Sequence, residues 1–257
     1  MISPLANVSP KAKIGKNVTI EAFATVYDDV EIGDNTYIHP NAVIYPDTII
    51  GKDCKIFPGA VIGIVNQDLK YKGEKSNTVI GNNTTIREYA TIHKGTADRM
   101  TTKVGDNCLI MCYTHLGHDC VVGNNVIIAN NGNLAGHITV EDFVVIEGVV
   151  AAQQFVNIGA HSFIAGASLV RKSVPPYTRV AREPLQFIGV NTIGLSRRGF
   201  DKETIKQIED IYRIIFVRGH NVSNALDMVE SEIPDTPVKK QIIDFIRAQS
   251  DGIIKGI

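Results

Sequence analysis

Every sixth residue from Ile2 to Val170 obeys one rule: 25 of the 29 positions hold Ile, Leu or Val. The four exceptions are Asp68, Glu74, Asp98 and Ala152. A second rule applies two residues earlier, where small or β-branched side chains recur, among them Ala24, Val30, Thr36, Cys54, Thr84, Cys108 and Cys120. Turn-forming pairs follow many of the apolar positions, as at Gly33-Asp34, Gly51-Lys52 and Gly105-Asp106. Six residues with two inward positions and a turn describe a short strand that ends at a corner. Three such units close a triangular coil, and stacked coils hydrogen-bond along the axis. The pattern therefore predicts a parallel β-helix built on hexapeptides. An α-helix has no period of six, and a sandwich would not keep one phase.

The phase survives two polar interruptions, 66–77 and about 96–101. Both read as loops thrown outward from a continuous prism, where function often resides. The repeat stops at Val174-Pro175-Pro176-Tyr177, a break for a chain leaving the sheet. From Asp201 the period turns helical, with Ile205, Ile208, Ile211, Tyr212 and Ile215 on one face. Asn221 or Ser223 caps a second helix, and Thr236-Pro237 opens a third. The expected organisation is mainly β, with a hexapeptide-repeat prism over 1–186 and a small α-helical domain over 187–257. Charge adds an exclusion: 26 basic against 27 acidic residues leave no bulk field for nucleic acid or an anionic membrane. The N-terminus lacks the pattern of a secretory signal. No stretch approaches the ~18 apolar residues of a membrane span. A soluble cytoplasmic protein with no integral membrane segment is expected.

Cys54, Cys108 and Cys120 occupy the small inward slot and read as buried apolar residues, since thiol chemistry needs exposure and positive charge. Cys112 lies outside that slot and is unassigned. No nucleophile elbow, Walker loop or dinucleotide fingerprint is present. The histidines are more informative. His115 and His118 flank the inward Leu116, and His137 lies 19 residues after His118, one coil plus one residue. Coils about 4.8 Å apart bring the two rings together on one side of the prism, with Gln154 in the next coil of that column. Three histidines suit a zinc site with an open position, as in hexapeptide-repeat carbonic anhydrases. The His118-Asp119 pair suits a general base with an orienting carboxylate instead. Such a base can take the proton of a sugar hydroxyl that attacks a thioester, and Gly136 offers a backbone N–H for the oxyanion. A basic cluster, Arg171, Lys172, Arg179, Arg182, Arg197 and Arg198 against Glu183, suits phosphates or an acidic carrier protein.

Taken together, the prism, Asn66-Gln-Asp-Leu-Lys-Tyr71, His115-Leu-Gly-His-Asp119, Leu134-Ala-Gly-His137, Gln154-Phe155, Gly189-Val-Asn191 and Ser196-Arg-Arg-Gly-Phe200 form an ordered set. In this set the chain resembles the UDP-N-acetylglucosamine O-acyltransferases, which begin lipid A synthesis in Gram-negative bacteria. The resemblance implies a left-handed helix, a cytoplasmic homotrimer with its site between neighbouring prisms, and no cofactor or metal. It implies transfer of a (3R)-3-hydroxyacyl group from acyl carrier protein to the 3-hydroxyl of UDP-N-acetylglucosamine. His118 is then the general base, Asp119 orients it, and Gly136 stabilises the oxyanion. Asp68 and Lys70 contact the sugar and a phosphate, while His115, His137 and Gln154 line the acyl and sugar-nucleotide site. Asn191, Arg197 and Arg198 hold nucleotide or carrier phosphates. Gly166 ends the acyl groove and leaves it open for a long chain. Two departures stand out: Gln153 where many relatives have His, and Ile193 where relatives often have Glu. A 3-amino acceptor sugar, a coenzyme A-dependent sugar O-acetyltransferase and a non-enzymatic prism are the alternatives. The related N-acyltransferase of the pathway carries an extra N-terminal domain that a repeat beginning at Ile2 leaves no room for.

Overall fold

The chain, described over residues 1–256 in a computed structural model, is built mostly from two-residue strands. Each comprises an inward apolar residue and its outward predecessor, as in Thr19–Ile20, Thr25–Val26 and Glu31–Ile32. A strand cannot run further because the following residues turn the corner. The strands stack into three faces of nine, eight and ten members, parallel throughout except for the last strand of the ten. Register follows the hexad: Thr19 pairs with Tyr37, Thr25 with Val43 and Glu31 with Ile49. Ile therefore stacks on Ile up the axis, and Ile38, Ile44, Ile56, Ile62, Ile86 and Ile92 are fully buried. Each such side chain contributes about 1.5–3 kcal/mol. The prism winds left-handed.

Two devices close the corners. Asn or Asp occupies many left-handed positions, including Asn17, Asp29, Asn35, Asn41, Asp47 and Asp53, because their short side chains tolerate positive φ. Farther along, rings take the same positions and stack from coil to coil: Tyr89 on Tyr113 at 5.2 Å, His137 on Phe155 at 4.5 Å, and Phe143 on His161 at 4.9 Å. Inside the corner, several Thr and Cys side chains of the slot act as hydrogen-bond donors. The Thr36 hydroxyl donates to the Gly51 carbonyl and the Cys54 thiol to Gly81, while Thr84 and Cys108 repeat this on Gly105 and Gly123. These thiols are buried, and burial pushes Cys120 up to about 12.

The prism continues past the point where the repeat stops. After Pro175-Pro176, strand Thr178–Ala181 pairs in parallel with Phe163–Ile164, and Gln186–Val190 then returns antiparallel to it. The expected boundary after residue 186 falls inside this last strand. Four helices follow: α1 (Thr192–Arg197), α2 (Lys202–Phe216), α3 (Val222–Glu232) and α4 (Pro237–Arg247). Asp201, Asn221 and Thr236 cap α2, α3 and α4, each accepting a first-turn N–H. The short α1 lies ahead of the point where the apolar period turns helical. No helix among the described residues is long and apolar enough to cross a membrane.

Candidate active site

Two inserted loops meet over the face that carries strands Thr91–His93, His115–Leu116, Asn133–Leu134 and Ala151–Ala152. The first, 65–76, is held by its own turns. The side chain of the buried Asn66 accepts the Asp68 N–H at 3.1 Å, and Asp68 accepts the Lys70 N–H at 2.9 Å. The second, 94–100, is not thrown outward along its length: it folds back over Asp119. The loops are clasped together, since Glu74 accepts the Ala97 N–H at 3.1 Å and Asn66 donates to the Gly95 carbonyl at 3.3 Å.

Asp119 is fully buried. Its carboxylate accepts the Thr96 N–H at 3.0 Å and the Thr96 hydroxyl at 2.6 Å, and it lies 2.8 Å from His118 Nδ1. Arg99 donates to the Asp119 main-chain carbonyl at 3.0 Å. Burial alone would raise this carboxyl, but the hydrogen bonds from Thr96 and His118 outweigh it and hold it below the usual carboxylate range. An ionised Asp119 fixes the proton of His118 on Nδ1. Nε2 is then left with its lone pair.

That nitrogen lies against Gly136, where an added Cβ would stand 2.6 Å from Nε2 and 2.5 Å from Cε1. The Gly136 N–H has no hydrogen-bond acceptor among the described residues. Gly117, in the coil below, presses on the same amide, since a Cβ there would be 2.8 Å from Gly136 N. His137 approaches His118 edge-on at 4.9 Å. His115 bonds Thr91 through Nδ1 at 2.8 Å, and the buried His93 meets it edge-on at 4.7 Å. Burial, then the neighbouring His118, lowers His115. Burial, then His115 and His118, takes His93 down to about 4. Both are neutral at pH 7.

A cavity of about 690 Å³ joins Asp68, Lys70, His115, His118, Gly136 and Gln154, with Leu134, Ala135, Ala151 and Ala152 as an apolar floor. His137 lines a smaller neighbour of about 310 Å³, which shares Asp68 and Lys70. The remaining predicted site residues lie outside both cavities. The Gly166 N–H is taken by Glu147 at 2.9 Å. Asn191 is buried, capping α1 through Gly194 N–H and donating to the His161 carbonyl at 2.8 Å. Arg197 is exposed, and Arg198 lies over the Phe143 ring at 5.4 Å with one guanidinium nitrogen buried and unpaired. Sequence reasoning missed His93, Thr96, Arg99 and Gly117. Among the described residues, the group with metal-ligand proximity is His118, Asp119 and His137 rather than three histidines. The Asp119 oxygens in it are already engaged by Thr96 and His118.

Residues 174–254 match the second domain described for UDP-N-acetylglucosamine O-acyltransferase, and 11–46, 29–64 and 101–136 match the bacterial transferase hexapeptide repeat. The chain is 43% identical over 256 residues to an acyl-(acyl-carrier-protein)–UDP-N-acetylglucosamine O-acyltransferase of Pseudomonas paraeruginosa, covering 99% of each. The chain belongs to the UDP-N-acetylglucosamine O-acyltransferase family. A homologue of the same name from Aliivibrio fischeri is 42% identical over 195 residues, which cover 76% of this chain and 74% of that one. Among solved members, the UDP-N-acetylglucosamine acyltransferase of Bacteroides fragilis matches with a TM-score of 0.98 at 46% identity. That match covers 99% of this chain and 100% of the other. The agreement extends over the prism and the helical end alike.

Proposed function

We propose that this chain transfers a (3R)-3-hydroxyacyl group from acyl carrier protein to the 3-hydroxyl of UDP-N-acetylglucosamine, the first step of lipid A synthesis. The observation that carries the reading is the pairing of a free His118 Nε2 with the unpaired Gly136 N–H at the edge of one cavity. His118 takes the hydroxyl proton as the sugar oxygen bonds to the thioester carbonyl carbon. The Gly136 N–H stabilises the oxyanion of the tetrahedral intermediate. Collapse breaks the carbon–sulfur bond, and the leaving thiolate recovers the proton from His118. Asp119 holds the ring in the required tautomer. Asp68, Lys70, His115, His137 and Gln154 receive the sugar nucleotide and the acyl head.

Asn191, Arg197 and Arg198 belong to the helical side, away from these cavities. A cytoplasmic homotrimer, implied by the resemblance, would let a neighbouring copy supply such groups to the nucleotide or carrier phosphates. The division into a prism, 1–186, and a helical domain, 187–257, is part of this reading. A long acyl chain is part of this reading because Gly166 adds no side chain at the groove end, where even a Cβ would meet the Gly148 carbonyl at 3.3 Å.

The test is transfer from 3-hydroxyacyl carrier protein to UDP-N-acetylglucosamine after chelator treatment, comparing wild type with His118→Ala. Loss of product only in the variant supports a metal-free general base. Wild-type activity confined to the 3-amino sugar would move the acceptor atom and leave the chemistry. Inactivity with both sugars overturns the reading, and sedimentation of a monomer refutes the trimer.

A further inference from the structure

His118 and His115 each have a ring nitrogen fixed by a neighbour, Asp119 and Thr91 respectively. His137 does not. It is only 8% exposed, and its Nδ1 has no hydrogen-bond partner among the described residues. Its Nε2 lies 3.8 Å from an Asp119 oxygen, too far for a hydrogen bond. The ring is packed face-on against Phe155, 12° from parallel, and edge-on against His118. Face stacking is indifferent to a half-turn about Cβ–Cγ, which exchanges nitrogen and carbon positions. Packing therefore sets the plane of this imidazole and leaves its two orientations unresolved.

The charged group beside Nδ1 is Asp98, whose Oδ2 stands 3.0 Å away. The contact is out of line for a hydrogen bond, but the Asp98 side chain is 65% exposed and free to turn into line. Asp98 sits in the second inserted loop, which Thr96 and Arg99 anchor to Asp119 on either side of it. It also replaces an inward Ile of the hexad and lines the same cavity as Asp68, Lys70 and His137.

We infer that Asp98 is a positioning residue: its carboxylate selects the His137 orientation with Nδ1 toward the second loop, giving the acceptor sugar a fixed imidazole to bind. The statement about the sugar rests on the acyltransfer reading above; the statement about the ring does not. Asp98→Ala is expected to raise KM for UDP-N-acetylglucosamine about tenfold, the order of one charge-assisted hydrogen bond. It should leave kcat and the KM for the acyl carrier within about twofold, and Asp98→Glu should recover most of the loss. Nitrogen NMR of the histidine rings, with His137 assigned through His137→Asn, is read in the same proteins without substrate. The His137 Nδ1 resonance is expected to move in Asp98→Ala while that of His118 stays. An unmoved resonance overturns the inference whatever the kinetics, because a raised KM would then mean that Asp98 touches the sugar directly. If wild type transfers nothing to this sugar, the functional reading fails while the NMR comparison still decides the role of Asp98.

Discussion

Gly136→Ala tests the geometry of the base more sharply than deletion of the base itself. The added methyl would lie 2.5 Å from His118 Cε1, whereas ordinary contact begins near 3.4 Å, so the ring or the backbone must give by roughly 0.9 Å. His118 has little room to give: Nδ1 is tied to the buried Asp119 at 2.8 Å and His137 packs against the ring at 4.9 Å. A misplacement of this size costs on the order of 100-fold in rate, or about 2.7 kcal/mol of barrier. Stability should not follow activity. Gly136 does not have the left-handed φ that excludes Ala, and the strain of the close contact, about 1–3 kcal/mol, is offset in part by the restricted unfolded chain, about 0.4–1 kcal/mol. The assay is kcat with saturating hydroxyacyl carrier protein and UDP-N-acetylglucosamine, alongside a thermal melt. The expected result is a near-dead enzyme whose Tm stays within a few degrees of wild type. A variant that keeps a third or more of the wild-type turnover would refute the assignment of proton transfer to this face of His118.

Gly117→Ala covers the Gly136 amide from the coil below at 2.8 Å; it should lower kcat by about 100-fold or more with little change in KM, as loss of an oxyanion donor does. Unchanged kcat would remove that amide from the mechanism. Thr96→Val strips the 2.6 Å hydroxyl bond from Asp119 and should cost about 1.5–3 kcal/mol of stability, read as a lower urea midpoint at pH 7. His93 has a folded pKa of about 4 against 6.5 for the free side chain, so the unfolded chain takes up its proton first on acidification. Its contribution is complete above pH 6.5 and falls as the pH drops toward 4. His93→Gln should flatten the loss of stability across that window, leaving the parts due to His115 and His161, which burial also lowers; an undiminished slope refutes this. Lys239 is buried, and its ammonium binds the Glu230 and Ile233 carbonyls and the Asp235 carboxylate at 2.9, 2.7 and 2.8 Å. Lys239→Ala should destabilise the helical end by about 2 kcal/mol, seen as a lower Tm with activity per folded molecule retained.

The prism was legible because a buried axis imposes its period on every coil, and residues such as Ile38, Ile56 and Ile86 cannot leave that phase without exposing the core. The closeness of His118 and His137 follows from the same arithmetic, since 19 residues is one coil and a step. The contacts of Thr96 and Arg99 were not legible, because a polar loop carries no period and its hydrogen bonds depend on where it folds back. Strand Thr178–Ala181 was hidden for a related reason: two prolines interrupt the hexad before it resumes pairing. Gly117 carries no role of its own in the His115–Asp119 motif as the sequence presents it. Its role as the floor under the Gly136 amide depends on corner stacking, which the sequence does not encode locally.

Three of the four exceptions to the six-residue rule have a common physical meaning. Regular coils pair residues 18 apart, as Thr19 with Tyr37. At the first loop Thr48 pairs with Thr78, and at the second Thr78 pairs with Thr102, spacings of 30 and 24 that exceed 18 by two hexads and by one. Whole hexads leave the wall, so inward and outward positions stay in register above and below, and the core is undisturbed. A hexad that leaves the wall no longer needs its inward Ile, and the vacated positions are Asp68, Glu74 and Asp98. Each carboxylate does something the wall cannot: Asp68 edges both cavities, Glu74 ties the first loop to the second, and Asp98 stands beside His137. The positions that the repeat releases are where the polar chemistry collects.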